Sequence, residues 1–182
     1  MKLVAAAIAA ACVAIAPRAR AVEHEHHAGV DGGVSMLAMN GKTDVGAGIG
    51  AHWAYGLSDA FNLMVEAAWS PVAPGEKVQG ASTPRTRPAS VGNAGAGVGY
   101  VLDVLRWVPY AGLLLSGYAL GGGTMDRVQW RPGVTLALGL DYRFGRSWAG
   151  GFAFRQHMLV TDTSTYPSFT QFLARFEYTF GW

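Results

Sequence analysis

The sequence predicts an all-β fold: eight antiparallel strands closed into an up-and-down transmembrane β-barrel. Three observations carry that prediction. Apolar residues alternate with small or polar ones in stretch after stretch, and side chains on a strand point to opposite faces in turn. The connections between these stretches are alternately long and short. The composition is apolar and poor in charge, with 51% hydrophobic residues, 14% charged residues and 25 glycines in 182. Beyond residue 21, however, no unbroken apolar run approaches the roughly 20 residues of a membrane-spanning helix. A chain of this kind that enters a membrane does so as strands.

The same composition excludes other classes. Aromatics at 12% with so few charges do not suit a disordered chain. One cysteine cannot form an internal disulfide. A formal net charge of +2 makes no case for nucleic acid. The length suits one domain.

Residues 1–21 read as a signal peptide. Met1 and Lys2 give a positive start, 3–16 is an apolar run, and Ala19-Arg20-Ala21 is a small-x-small cleavage site. Cleavage after Ala16 would leave Pro17 next, so the cut is expected after Ala21. It removes Lys2, Arg18, Arg20 and the lone Cys12, leaving a slightly acidic chain with no thiol, which suits export. Residues 22–28 are expected to form a flexible periplasmic N-terminus, with the barrel over 29–182.

The first strand (29–39) and the fifth (107–119) alternate less cleanly, because Leu37, Met39 and Leu114 fall on the polar face. The second sets Val45, Ala47, Ile49, Ala51, Trp53 and Tyr55 against Gly46, Gly48, Gly50, His52 and Ala54. The third sets Phe61, Leu63, Val65, Ala67 and Trp69 against Asn62, Met64, Glu66 and Ala68; the fourth sets Ala94, Ala96, Val98, Tyr100 and Leu102 against Asn93, Gly95, Gly97 and Gly99. The sixth (130–144) is the clearest, with an apolar, aromatic-ended face opposite Arg131, Gly133, Thr135, Ala137, Gly139, Asp141 and Arg143. The seventh (148–159) opposes Phe152, Phe154 and Met158 to Ala153, Arg155 and His157. The last carries Phe172, Ala174, Phe176, Tyr178, Phe180 and Trp182 on one face.

Connections 40–43, 71–90, 120–128 and 160–168 are long, whereas 58–60, 103–106 and 145–146 are short. Long loops on one side and short turns on the other are the pattern of bacterial outer-membrane barrels, with both termini then periplasmic. The aromatic face is too bulky for the inside of so small a barrel, and glycine on the other face relieves crowding in a narrow lumen. Trp53, Trp107, Trp148 and Trp182 fall near the short-turn end, and Trp69 and Trp130 near the long-loop end. These are the two aromatic belts expected at lipid–water boundaries.

Over nearly all of residues 28–182 the chain resembles the small eight-stranded outer-membrane proteins of the OmpA/OmpX type. The resemblance rests on Gly95-Ala96-Gly97-Val98-Gly99-Tyr100, on Trp107-Val108-Pro109-Tyr110-Ala111-Gly112 and on the ending Phe176-Glu177-Tyr178-Thr179-Phe180-Gly181-Trp182. It implies that the barrel-assembly machinery reads the alternating terminal aromatics, here Tyr178, Phe180 and Trp182.

The lumen face collects Asp31, Asp44, Glu66, Asp141 and Glu177 against Arg131, Arg143, Arg155 and Arg175. An isolated ion there carries a heavy desolvation cost, so pairing is expected. The expected network is Glu66, Asp141, Arg143, Arg155, His157, Arg175 and Glu177, closing the barrel to solutes, as the resemblance also implies. Glu66→Ala is then expected to destabilise more than Glu76→Ala in the loop. The alternative is a water-filled interior and a narrow passive channel.

Three further readings are weaker. Some eight-stranded barrels are lipid A deacylases with a His-x-Ser pair and a carboxylate, but the second residue after His157 is Leu159, and Ser164 and Asp162 have the wrong spacing. A start at Val22-Glu23-His24 would offer an amine, amides and an imidazole to Cu(II) or Ni(II), although short His-rich tracts are commonly solvated tails. Lys77, Arg85 and Arg87 in the longest loop would suit lipopolysaccharide phosphates. The function expected is therefore a non-enzymatic structural or surface-interaction role, as a monomer without cofactor or metal. Its expected partners are outer-membrane lipid, lipopolysaccharide and the assembly machinery.

Overall fold

A computed structural model describes residues 24–39, 42–73, 87–103, 106–161, 163–166 and 168–181. The expected signal peptide, Val22, Glu23, Glu76, Lys77, Arg85, Asp162 and Trp182 lie outside the described residues. The strands are β1 (His26–Met39), β2 (Lys42–Gly56), β3 (Phe61–Pro71), β4 (Ser90–Val101), β5 (Trp107–Gly121), β6 (Gln129–Arg143), β7 (Trp148–Leu159) and β8 (Ser168–Phe180). Each pairs antiparallel with the next, and β8 returns to β1 to close the barrel. The closing seam runs from His26↔Phe180 to Ala38↔Ser168. Strands of 11 to 15 residues meet or exceed the roughly 9–11 needed to cross the hydrocarbon core.

The period of two sets inside and outside. In the run Leu113-Leu114-Leu115, the outer two are 58% and 76% exposed and the middle one is fully buried. Trp130, Phe152, Val30 and Ile49 are likewise turned outward and exposed. So much continuous apolar surface is at home against acyl chains and not in water.

Two boundaries differ from expectation. β1 begins at His26, not at 29, so 26–28 belong to the sheet and not to a free tail. The His-rich composition suggested solvent, but β2 and β8 flank this stretch on both sides, through His26↔Tyr55 and His26↔Phe180. Pairing is the only way to satisfy those edge groups away from water. The first connection is also shorter than 40–43: β2 starts at Lys42, paired with Met39, leaving Asn40 and Gly41. An Asn-Gly pair between alternating runs is a strong two-residue hairpin signal.

Leu37, Met39 and Leu114 keep their register, and all three are fully buried. Leu37 and Met39 join Val72, Val91, Tyr118, Leu120, Leu159, Tyr166 and Phe169 in one apolar cluster at the long-loop end of the lumen. Their inward placement is a core, and it caps the barrel.

Candidate functional site

Below that cap the lumen holds polar layers beside a second, smaller apolar cluster of Ala54, Met64, Val101, Val108, Tyr110, Leu114 and Ala137. Nearest the short turns, His27 Nδ1 lies 2.9 Å from Glu177 Oε1, and Arg143 donates to Asp103 at 2.8 Å. Above them, His52 bridges two carboxylates, with Nδ1 2.8 Å from Asp31 and Nε2 3.2 Å from Glu177. Serving two ionised carboxylates takes both ring N–H groups, so the geometry calls for an imidazolium.

Arg175 reaches carboxylates from three strands: Asp31 on β1 at 3.3 Å, Asp141 on β6 at 3.5 Å and Glu177 on β8 at 3.2 Å. Its guanidinium also lies 4.7 Å over the ring of Tyr110, a cation–π placement. The ring has room because the facing residue is glycine: a Cβ on Gly139 would collide with it.

Arg155 forms the next layer. Its Nε donates to Glu66 Oε2 at 2.8 Å, and its Nη1 donates to Tyr110 Oη at 3.2 Å. Glu66 is on β3 and Arg155 on β7, four strands apart by either route around the eight. This bond therefore crosses the barrel's diameter. In these two layers four carboxylates (Asp31, Glu66, Asp141, Glu177) meet two guanidiniums (Arg155, Arg175). His52 stands between two of these carboxylates, Asp31 and Glu177.

The upper polar layer is neutral. His157 Nε2 donates to Gln171 Oε1 at 2.9 Å, and Gln171 Nε2 donates to Ser70 at 2.9 Å. The hydroxyls of Thr135 and Tyr118 meet His157 Nδ1 at 2.9 and 3.2 Å, and Ser116 meets Thr135 at 2.7 Å. Tyr118 links this layer to the cap, with its ring above and its hydroxyl below.

The expected network is thus assembled in part. Glu66, Asp141, Arg155, Arg175 and Glu177 come together in the lumen. Arg143 does not join them; it ends β6 and takes its partner from the adjoining turn, at the rim. His157 does not join Arg155 either. Two residues along a strand is a separation of about 6.6 Å, enough to move the imidazole into the neutral layer. Asp44 pairs with Arg87 at 3.2 Å, and Arg131 bonds Gln129 at 3.0 Å. Ser164 is exposed in its loop while His157 is fully buried, so no His–Ser pair is formed. The sequence reading left out His27, His52, Tyr110, Thr135 and Gln171. All but His27 lie on polar faces that the period of two marks.

Outside, an aromatic ring encircles the short-turn end. It runs through His26, Trp53 and Tyr55, then Phe61 with Tyr100, Trp107 with Tyr142, and Trp148 with Tyr178. Trp69 and Trp130 are exposed nearer the long-loop end.

A family model for the outer membrane protein beta-barrel domain matches residues 3–180. The chain belongs to this outer-membrane β-barrel family. Among curated proteins no sequence matches it. Solved structures share the fold at low identity. The N-terminal β-barrel domain of Pseudomonas aeruginosa OprF has a TM-score of 0.62 at 11% identity, covering 87% of this chain and 98% of that one. Neisserial surface protein A gives 0.63 at 13%, covering 88% and 100%. The attachment invasion locus protein Ail of Yersinia pestis gives 0.60 at 12%, covering 87% and 99%. Membership in the outer-membrane β-barrel family makes the chain an integral protein of the bacterial outer membrane.

Proposed function

We propose that this barrel is a non-enzymatic envelope protein whose lumen is closed to solute flow and whose long loops act at the cell surface, in a structural or interaction role. The observation that carries the closure is the 2.8 Å Arg155–Glu66 bond across the barrel's diameter, stacked between the Arg175 cluster and the apolar cap. The cavity left at the short-turn end is only about 40 Å³, space for a few waters and not for a continuous file. His157 has both nitrogens occupied by hydroxyls and an amide, which leaves it without a role as a general base.

Both termini then face the periplasm, Tyr178, Phe180 and Trp182 serve assembly, and lipopolysaccharide surrounds the long-loop end; Arg87, buried against Asp44, takes no part in that contact. The surface role draws on likeness of fold: Ail is an attachment invasion locus protein, solved also with the heparin analogue sucrose octasulfate. Planar-bilayer recording of the pure folded protein tests the closure. No steady conductance is expected, and a large steady conductance would replace this reading with that of a narrow passive channel.

A further inference from the structure

The outer face of β6, β7 and β8 is interrupted near the short turns by a trough of about 400 Å³. Its floor is Gly150 and Ala174, the small outward residues of their strands. Gly150 sits between Tyr142 and Phe176 in the ladder, and Ala174 faces Phe152. Phe144 leans over the floor, since a Cβ on Gly150 would come within 2.8 Å of its ring. Aromatic walls around a low floor, the Ala174 methyl beside a Gly150 covered by the Phe144 ring, make a slot of acyl-chain width on a surface already at membrane depth.

Charge at the mouth of the slot points the same way. Arg106, in the turn before β5, extends Nη1 to within 3.4 Å of Tyr142 Oη, and its carbonyl accepts from Arg143 N at 2.8 Å. Arg146 is exposed in the turn between β6 and β7. Among the described residues, the arginines of the short-turn rim all fall in this sector, Arg143 being paired with Asp103 and Arg106 and Arg146 exposed, whereas the β2–β3 turn carries Asp59. Apolar slot and cationic rim coincide on one side of the barrel.

We infer that this trough is a binding site for one anionic glycerophospholipid, with an acyl chain over Ala174 beside the Phe144 ring and the phosphate held by Arg106 and Arg146. Arginine suits phosphate geometry, and Tyr142 supplies a polar tip at the boundary between chain and headgroup. The inference rests on the proposed orientation, which turns the short-turn rim to the phospholipid leaflet.

The test is native mass spectrometry of the full folded chain in detergent, titrated with dioleoyl-phosphatidylglycerol, dioleoyl-phosphatidylcholine or lipopolysaccharide. One phosphatidylglycerol should be retained in preference to phosphatidylcholine. Retention should fall about five-fold for each of Arg106→Gln and Arg146→Gln, and Ala174→Leu should abolish it while heat-modified gel mobility stays that of a folded barrel. Equal retention of the two phospholipids, or unchanged retention in folded Ala174→Leu, would overturn the site and leave the orientation standing. Preferred retention of lipopolysaccharide would overturn the phospholipid assignment. Whole-cell labelling of Ser58→Cys by an impermeant maleimide reads the orientation on its own: labelling would remove the leaflet on which the inference depends, and protection upholds it.

Discussion

Toward the short turns, the lumen of this barrel brings carboxylates, guanidiniums and imidazoles into contact beside a small apolar cluster around Met64 and Val108; toward the long loops apolar packing dominates, with leucines, Met39, Phe169 and the ring of Tyr118 beside one buried Asp44–Arg87 pair. The outside divides the same way. The short-turn half wears a ring of aromatics in mutual contact, and the long-loop half shows Trp69 and Trp130. Both halves fill the same narrow bore, by different physics. Apolar packing is non-directional and accepts whichever neighbour fills the volume. A buried ion is bound to its partners by the cost of losing them. The charged half therefore fixes which strands face each other, and the apolar half seals what has been fixed.

The largest effects should come from breaking the charged half. Arg175→Met takes from Asp31 and Glu177 one partner each, leaves Asp141 without its guanidinium, and should cost about 3–5 kcal/mol, the range for orphaning a buried charge. Glu66→Leu leaves Arg155 without a carboxylate and should cost about 3–5 kcal/mol. Adding Arg155→Met to Glu66→Leu should recover most of that loss, because a packed apolar pair is often as stable as a buried ion pair. Urea-dependent folding into lipid vesicles, read by heat-modified gel mobility, measures all three. A double variant no better than Glu66→Leu would mean that the pair contributes beyond mutual neutralisation, and the contrast between the halves would need another cause.

In the apolar half, Leu37→Ala should cost about 2–5 kcal/mol, the transfer and cavity terms of a fully buried leucine. It should not raise conductance, since the neutral His157 layer and the Arg155–Glu66 bond lie beneath it. Bilayer recordings of the folded variant check that point. Steady current through Leu37→Ala would make the cap, and not the ion pairs, the element that closes the lumen.

How far these features were legible in the sequence follows the same division. Alternation assigns a face to almost every strand residue, so Leu37, Met39 and Leu114 were placed inward before anything explained them. Partners were harder. Which side chains meet across a lumen depends on the stagger between strands that are not neighbours, and a period of two is silent on that. Arg155 and His157 share a face, which groups them in sequence, but one strand repeat puts them in different layers. His27 was lost with the strand start, because a histidine-rich stretch reads as solvated until the two strands that flank it are known.

The smallest effect separates the two ends of the outer face. Trp148 packs its ring on Phe176 at 4.9 Å and on Tyr178 at 4.7 Å. Trp130 is 72% exposed. Both lose similar apolar area when changed to leucine, but Trp148→Leu also loses ring contacts worth about 0.5–1.5 kcal/mol. Trp148→Leu should therefore destabilise more than Trp130→Leu by about that amount, in the same vesicle-folding titration. Equal losses would mean that depth at the lipid boundary, and not contact within the ring, sets the worth of these tryptophans, and the dense short-turn belt would then be a set of independent anchors.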